Sequence, residues 1–259
     1  HYLRGTPAPD AVVLAEPGIT NELPAEVGKM TGLYFRPAGF TVKSFADASS
    51  VYQEDGIDAA RLDILDSYEV KFVVAETGSG LDYQLGEYAP QVRPVFATGR
   101  YRLYELADNW QTNPFLSSLL EGIRALGSGN QSQAKQLAER ALLLSPASLS
   151  AHQLMAEVLL RAGDTAQALV HAQAIRDATP ETAWSGQLLA KVHQTIGAAA
   201  ERRADLETAA AEYRAALAAN PNNTLAGEAL VRLHRSTGGT LLTAPEINAI
   251  IAAFEAPTT

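Results

Sequence analysis

From residue 115 to residue 254, apolar and polar positions alternate with the period of amphipathic helices, and the helices come in pairs. The pattern predicts helices over 115–127 and 131–144, then over 148–161 and 165–178. Pro146 and Pro180 each follow the second helix of a pair and stand 34 residues apart. Proline there cannot continue the helix that precedes it. Within Asn113–Pro146 the shared offsets hold Gly122, Gly129, Ala134, Ala141, Leu142 and Pro146. Within Ala147–Pro180 they hold Ala156, Gly163, Ala168, Ile175, Arg176 and Pro180. Small residues fall where two helices cross closely, and glycine falls at the turn between them. A third unit starts over Ala183–Gly197. Its second half returns to register only ahead of Pro221, with Ala209, Tyr213, Ala216 and Leu217, and Pro221 lies 41 residues after Pro180. The seven extra residues fall in Gly197–Asp205. They are worth about two helical turns, so they predict an extended helix or helix-turn whose faces keep their phase. A fourth unit begins with Thr224–Ser236. Its partner, Ala244–Phe254, is displaced by Gly238, Gly239 and Pro245 and is expected to close the end of the array.

This spacing of Gly, Ala and Pro resembles tetratricopeptide (TPR) repeats, over residues 113–255. The resemblance implies an α-solenoid of three to four helix pairs that bury their apolar faces by stacking. It also implies a concave groove, lined by the first helix of each pair, that takes a protein or peptide. Carried onto this sequence, the groove positions are Gln153, Glu157 and Leu160 with Arg161 adjacent, then Trp184, Gln187, Lys191 and Gln194, then Leu225, Glu228, Arg232 and Arg235. One exposed aromatic among polar and cationic groups suits a peptide-binding groove. Trp184 is expected at its centre, with Lys191, Arg232 and Arg235 facing acidic groups of the partner. The competing reading makes these ordinary solvated faces with Trp184 tucked into a neighbour, since tryptophan is usually mostly buried. In the first unit the same positions are Leu116, Leu119, Ile123 and Leu126. So apolar a face is not expected to meet water, and the helix should pack on the preceding domain or another chain. Where some TPR proteins grip a terminal carboxylate with Lys and Asn, this chain has Gln153 and Glu157, which argues against that mode.

The first 109 residues read as a small α/β domain, with Trp110–Pro114 as the boundary to the helical array over 110–259. Asp10–Glu16 reads as a buried strand stopped by Pro17. Helices are expected over 22–30, capped by Asn21, and over 56–69, with strands over 33–36 and 40–45 between them. Val70–Ala75 is the strongest strand pattern and, lacking alternation, is expected at the centre of the sheet. After a polar, Gly-rich stretch, Val92–Phe96 and Tyr101–Leu106 form a hairpin in which Gly99 is expected to supply a positive φ. The second hairpin strand alternates, so one of its faces is expected to meet solvent. The fold class that results is a mixed-sheet α/β domain followed by an all-α solenoid.

Four segments of this region (Leu3–Pro17, Asn21–Lys29, Tyr68–Val74 and Pro94–Tyr104) resemble the soluble tail of bacterial mannosyltransferase-like membrane glycosyltransferases. That resemblance implies an extracytoplasmic position, at the periplasmic or cell-surface face of a bacterial membrane, after the last membrane helix of a larger protein. The family's catalytic acids lie in loops absent from this chain, so no catalytic residue carries over.

Composition narrows the chemistry. Hydrophobic residues make up 47% of the 259, which is enough for a sizeable core. The net charge is −9. Residues 1–109 hold 16 acidic and 9 basic groups, and residues 110–259 hold 13 and 11. Neither half is basic, which argues against nucleic acid and against an anionic membrane surface. No stretch has the apolar length of a membrane span, so no direct membrane insertion is expected. There is no cysteine, which excludes disulfides, thiolate zinc sites and cysteine nucleophiles. His152, His193 and His234 recur near one helical face, but adjacent helices would hold them about 10 Å apart, too far to share a metal. Thr77-Gly-Ser-Gly80 follows a strand as a phosphate loop does, but without the Gly-Lys-Thr ending or an immediate helix it reads as a turn. Glu76 and Glu16 are candidate strand-end carboxylates for acid–base work or for binding a cation. Nothing else supports that role. Tyr83, Tyr88, Tyr101 and Tyr104 are candidate stacking platforms for a sugar. The expectation is a non-enzymatic protein- or peptide-binding module without cofactor or metal. The alternative is an accessory domain holding a glycan or lipid-linked sugar.

Overall fold

The computed structural model describes residues 12–14, 60–180, 182 and 184–255. The elements expected between residues 21 and 55 lie outside the described residues, as do His1 and Glu16.

Four strands form a mixed sheet in the order β1-β2-β4-β3: β1 (Val12–Leu14), β2 (Val70–Glu76), β3 (Val92–Ala97) and β4 (Tyr101–Leu106). β1 runs parallel to β2, and β4 runs antiparallel to both β2 and β3. β2 is interior, and Val70, Phe72, Val73, Val74 and Ala75 are all buried, as its unbroken apolar run requires. β4 departs from expectation. It lies between β2 and β3, and the adjacent residues Leu103 and Tyr104 are both buried, so neither face is left to solvent. The hairpin also departs: Gly99 does not have a positive φ. Thr98 closes the turn instead, its Oγ1 accepting from the N–H groups of Arg100 and Tyr101 at 3.3 and 2.9 Å.

Among the described residues, two helices accompany the sheet. α1 (Arg61–Ser67) is the described part of the helix expected over 56–69 and packs on β2. α2 (Gly80–Glu87) falls in the stretch read as a polar connection. Ser79 caps it by accepting the Asp82 N–H at 3.2 Å, and Leu81, Leu85 and Tyr88 are buried along it. It packs on β2 and β3.

A 3₁₀ turn at Trp110–Thr112 leads into the helices. These are α3 (Pro114–Gly127), α4 (Gln131–Leu144), α5 (Leu149–Ala162), α6 (Thr165–Ala178), α7 (Ser185–Arg202), α8 (Leu206–Ala219), α9 (Thr224–Ser236) and α10 (Ala244–Glu255). The second helix of each of the first three pairs is capped alike, by Asn130, Asp164 and Asp205. The residue before each cap is left-handed: Gly129 and Gly163 at φ 81 and 80°, and Ala204, in the lengthened unit, at 60°. α3 to α6 have 14 residues each, whereas α7 has 18. Four of the seven extra residues thus go into helix, about one turn.

The chain contacts divide it into two compact units, His1–Val158 and Leu159–Thr259, so the change of architecture near residue 109 lies inside the first. Within that unit α3 packs on α1 and on the 3₁₀ turn, which accounts for its greasy face. Leu116, Leu119 and Leu126 are buried and Ile123 is half-buried. Arg124 bridges Asp63 and Asp66 of α1 at 2.6 Å each. Glu87, at the end of α2, accepts from the Leu149 N–H, from the Ser150 N–H at 3.2 Å and from Ser148 Oγ at 3.2 Å. It thereby serves the open N–H groups at the start of α5, where negative charge is favoured. Burial nevertheless dominates, and it pushes the Glu87 carboxyl above the usual range.

Candidate functional site

In the second unit, alanine sets the distance between helices. Ala190 and Ala200 of α7, Ala209, Ala210 and Ala216 of α8, and Ala226 and Ala229 of α9 form one core with Tyr213, Leu230 and Leu233. Gly186 of α7 brings the backbones closer still, since a Cβ there would lie 1.9 Å from the carbonyl oxygen of Ala219. With the small residues turned inward, α7 and α9 present a mixed row to solvent. Gln187 and Lys191 are exposed on α7 and Gln194 is half-buried; Leu225, Glu228, Arg232 and Arg235 lie on α9, all four exposed. Two side-chain links join these helices. Asn223 Nδ2 donates to Gln194 Oε1 at 3.4 Å, and Arg232 donates through Nε and Nη2 to Glu201 at 2.9 to 3.2 Å.

The structure alters three members of the expected groove. Trp184 is 7% exposed, at the N-terminal edge of α7, and is not the solvent-facing aromatic. Its large apolar surface is better placed inside, and truncating it would open a cavity rather than remove a ligand contact. Gln153 is buried as well, at 9% exposure, while Glu157 is half-buried and both belong to the first unit. Arg232 is not waiting for an acidic partner, because Glu201 already engages it. That pair holds the Glu201 carboxyl below the usual range, aided by the Tyr213 hydroxyl, which donates to it at 2.9 Å. Arg161 is exposed at the end of α5.

The remaining candidates for chemistry resolve into structural roles. Thr77–Ser79 does lead directly into a helix, contrary to expectation, but the Gly78 N–H donates to Asp82 Oδ2 at 2.9 Å. A carboxylate of the chain itself occupies the place an anion would take. Arg102 and the Tyr104 hydroxyl donate to the same side chain at 2.9 and 2.7 Å. Burial and the Asp82 carboxylate push the Tyr104 phenol up to about 12. Glu76 pairs with Arg100 at 3.2 Å on the surface. The tyrosine platform does not form. Tyr88 and Tyr104 are buried, and the Arg100 guanidinium lies 5.0 Å from the centre of the Tyr101 ring, leaving Tyr83 as the exposed member. The histidines are used locally: His152 on the Pro146 carbonyl at 3.0 Å, His193 on Glu212 at 2.8 Å, and His234 accepting the Leu242 N–H at 3.0 Å. Among the described residues no group of three or more His, Asp or Glu side chains could hold a metal ion.

Sequence reasoning missed the buried polar residues Arg61, Asp82 and Gln84. The only trace of them was Ser79 followed three residues later by Asp82, a spacing that marks a helix start.

No family model matches the chain, so neither the TPR likeness nor the resemblance to membrane glycosyltransferase tails has a counterpart there. No curated protein matches it either. Among solved structures, MamA from Desulfovibrio magneticus RS-1 is 19% identical with a TM-score of 0.41, over 58% of this chain and 82% of its own. MamA of AMB-1 is 16% identical with a TM-score of 0.40, over 56% and 75%. A thermophilic TPR protein from Thermus thermophilus is 21% identical with a TM-score of 0.35, over 54% and 74%. Likeness this slight transfers neither fold nor function. No described helix is long and apolar enough to cross a membrane.

Proposed function

We propose that this chain is a non-catalytic scaffold that binds a protein or peptide, built from an α/β domain over 1–109 and a helical-repeat array over 110–259. The observation that carries the reading is the solvent-facing row of Gln187, Lys191, Leu225 and Glu228 on two helices fixed from behind by alanine and glycine packing. Polar and apolar groups held on rigid helices lose little freedom when a ligand binds, which suits recognition. The burial of Tyr88 and Tyr104 takes away the support for a glycan ligand.

Selection from a displayed random-peptide library with the purified full chain tests the reading. Peptides should be recovered whose affinity falls roughly tenfold or more when Gln187, Lys191 and Glu228 are replaced together by alanine, with the melting curve unchanged. Failure to recover any binder, or binders indifferent to the triple replacement, would overturn it.

A further inference from the structure

The lengthened helix α7 brings Glu201 against Arg232 of α9, with Arg202 and the C-cap residue Arg203 next in sequence, and Arg235 lies about one turn along α9 from Arg232. The junction is ordered by the bonds described above. Arg232 grips Glu201 through two nitrogens, and the Tyr213 hydroxyl holds the same carboxylate from α8. Arg202, Arg203 and Arg235 are exposed. Carboxylates also stand at this end, and the Arg203 charge acts on that of Asp205. Glu201 is engaged by Arg232 and Tyr213, and Asp205 caps α8 through the Thr208 N–H at 3.2 Å. Glu207 is exposed in the first turn of α8.

A helix C-terminus favours one nearby cation, and that accounts for Arg202 and for Arg235. Glu201 accounts for Arg232, but the helix ends alone do not account for Arg203, exposed next to Arg202 in a chain of net charge −9. Guanidinium is the group that matches a carboxylate fork to fork, and a fixed guanidinium loses less freedom on forming such a pair. We propose that this rim docks an acidic peptide segment, with Arg202, Arg203 and Arg235 taking its carboxylates around the Arg232–Glu201 pair. The proposal rests on the scaffold reading and names the chemistry of one end of its ligand.

Fluorescence anisotropy with a labelled Glu-rich peptide and its Gln-for-Glu counterpart, titrated with the full chain, tests it. The Glu-rich peptide should bind at least about tenfold more tightly. Added salt should erode the preference. Arg202→Glu combined with Arg203→Glu should abolish it, and Arg235→Glu should reduce it, with melting unchanged because these side chains face solvent. Equal binding of the two peptides, or a preference that survives the charge reversals, overturns the proposal, as does displacement of the peptide by a nucleic-acid oligomer at equal concentration. Library binders that depend on Lys191 and Gln187 but not on the arginines would sink this inference and leave the scaffold reading standing. A Glu-rich peptide held by the arginines but indifferent to Gln187, Lys191 and Glu228 would support the arginine rim and remove those three residues from the scaffold's binding row.

Discussion

Among the described residues of the first unit an arginine, an aspartate and two glutamines lie inside; in the second, half of the buried apolar side chains are alanine. Arg61 is 1% exposed and donates to Gln84 at 3.1 Å; Gln84 donates to the Tyr88 hydroxyl at 2.8 Å, which lies 3.1 Å from Ser150 Oγ. That chain runs from α1 through α2 to α5, and each of its bonds names its partner. Buried polar groups cost little when satisfied and much when orphaned, so such a network fixes which helix meets which. The second unit fixes the same thing by distance. Gly186, Gly197 and the alanines of α7, α8 and α9 allow approaches that larger side chains forbid, and its buried polar residues, Thr179 and Ser185, are small. One unit is specified by which bonds must be made, the other by how little space is left.

Substitutions can break either half of that contrast. The largest effect is expected at Gly186. An added methyl would lie 1.9 Å from a backbone oxygen, so α7 and α8 must separate, and Gly186→Ala should cost about 3 kcal/mol. Gly99→Ala, where a Cβ meets nothing within 4 Å, should melt like the parent. Equal melting of both variants would show that the second unit is not distance-limited. A middling effect is expected at Tyr88. Tyr88→Phe keeps the ring but removes the hydroxyl that Gln84 and Ser150 both meet, for a loss of about 1–2 kcal/mol in denaturant melts. A neutral result would mean that the polar chain does not hold the first unit.

The smallest effect sharpens the contrast through pH. Burial raises the Glu87 carboxyl above its ordinary 4.5 in the fold. The folded state therefore binds that proton more tightly than the unfolded chain does. The resulting stabilisation is fully present below pH 4.5 and is lost as pH rises through the folded value. The stability of the parent relative to Glu87→Gln should accordingly fall from acid to neutral pH. A difference that is flat, or rises, would show that the bonds from α5 outweigh burial.

Legibility in the sequence followed the same division. The bounds of α3 to α6 were readable to within about a residue, because each pair repeats the same capping position, small residues and proline. The lengthening of α7 was readable too, from the longer interval between Pro180 and Pro221, though it comes to about one turn of the two expected. The first unit was harder. Helix α2 carries Leu81, Leu85 and Tyr88 at helical spacing, but Gly78, Gly80 and Gly86 around them masked the pattern. Arg61, Asp82 and Gln84 count as surface residues in any hydrophobic pattern, so their burial depends on partners far away in the chain that spacing cannot reveal. Of the candidate site, the exposed positions Gln187, Lys191, Glu228 and Arg235 were legible from the offsets that the TPR resemblance supplies. Trp184 was not: phase placed it outward, but it sits at the N-cap position, ahead of the first helical residue of α7, where helical phase no longer decides which way a side chain points.

Trp110 and Trp184 are the two tryptophans of the chain; both are buried, and each belongs to a different compact unit. Intrinsic emission is thus a built-in optical label for each. Replacing either indole with phenylalanine leaves a single emitter, and the two single-emitter proteins turn one unfolding titration into separate records of the two halves.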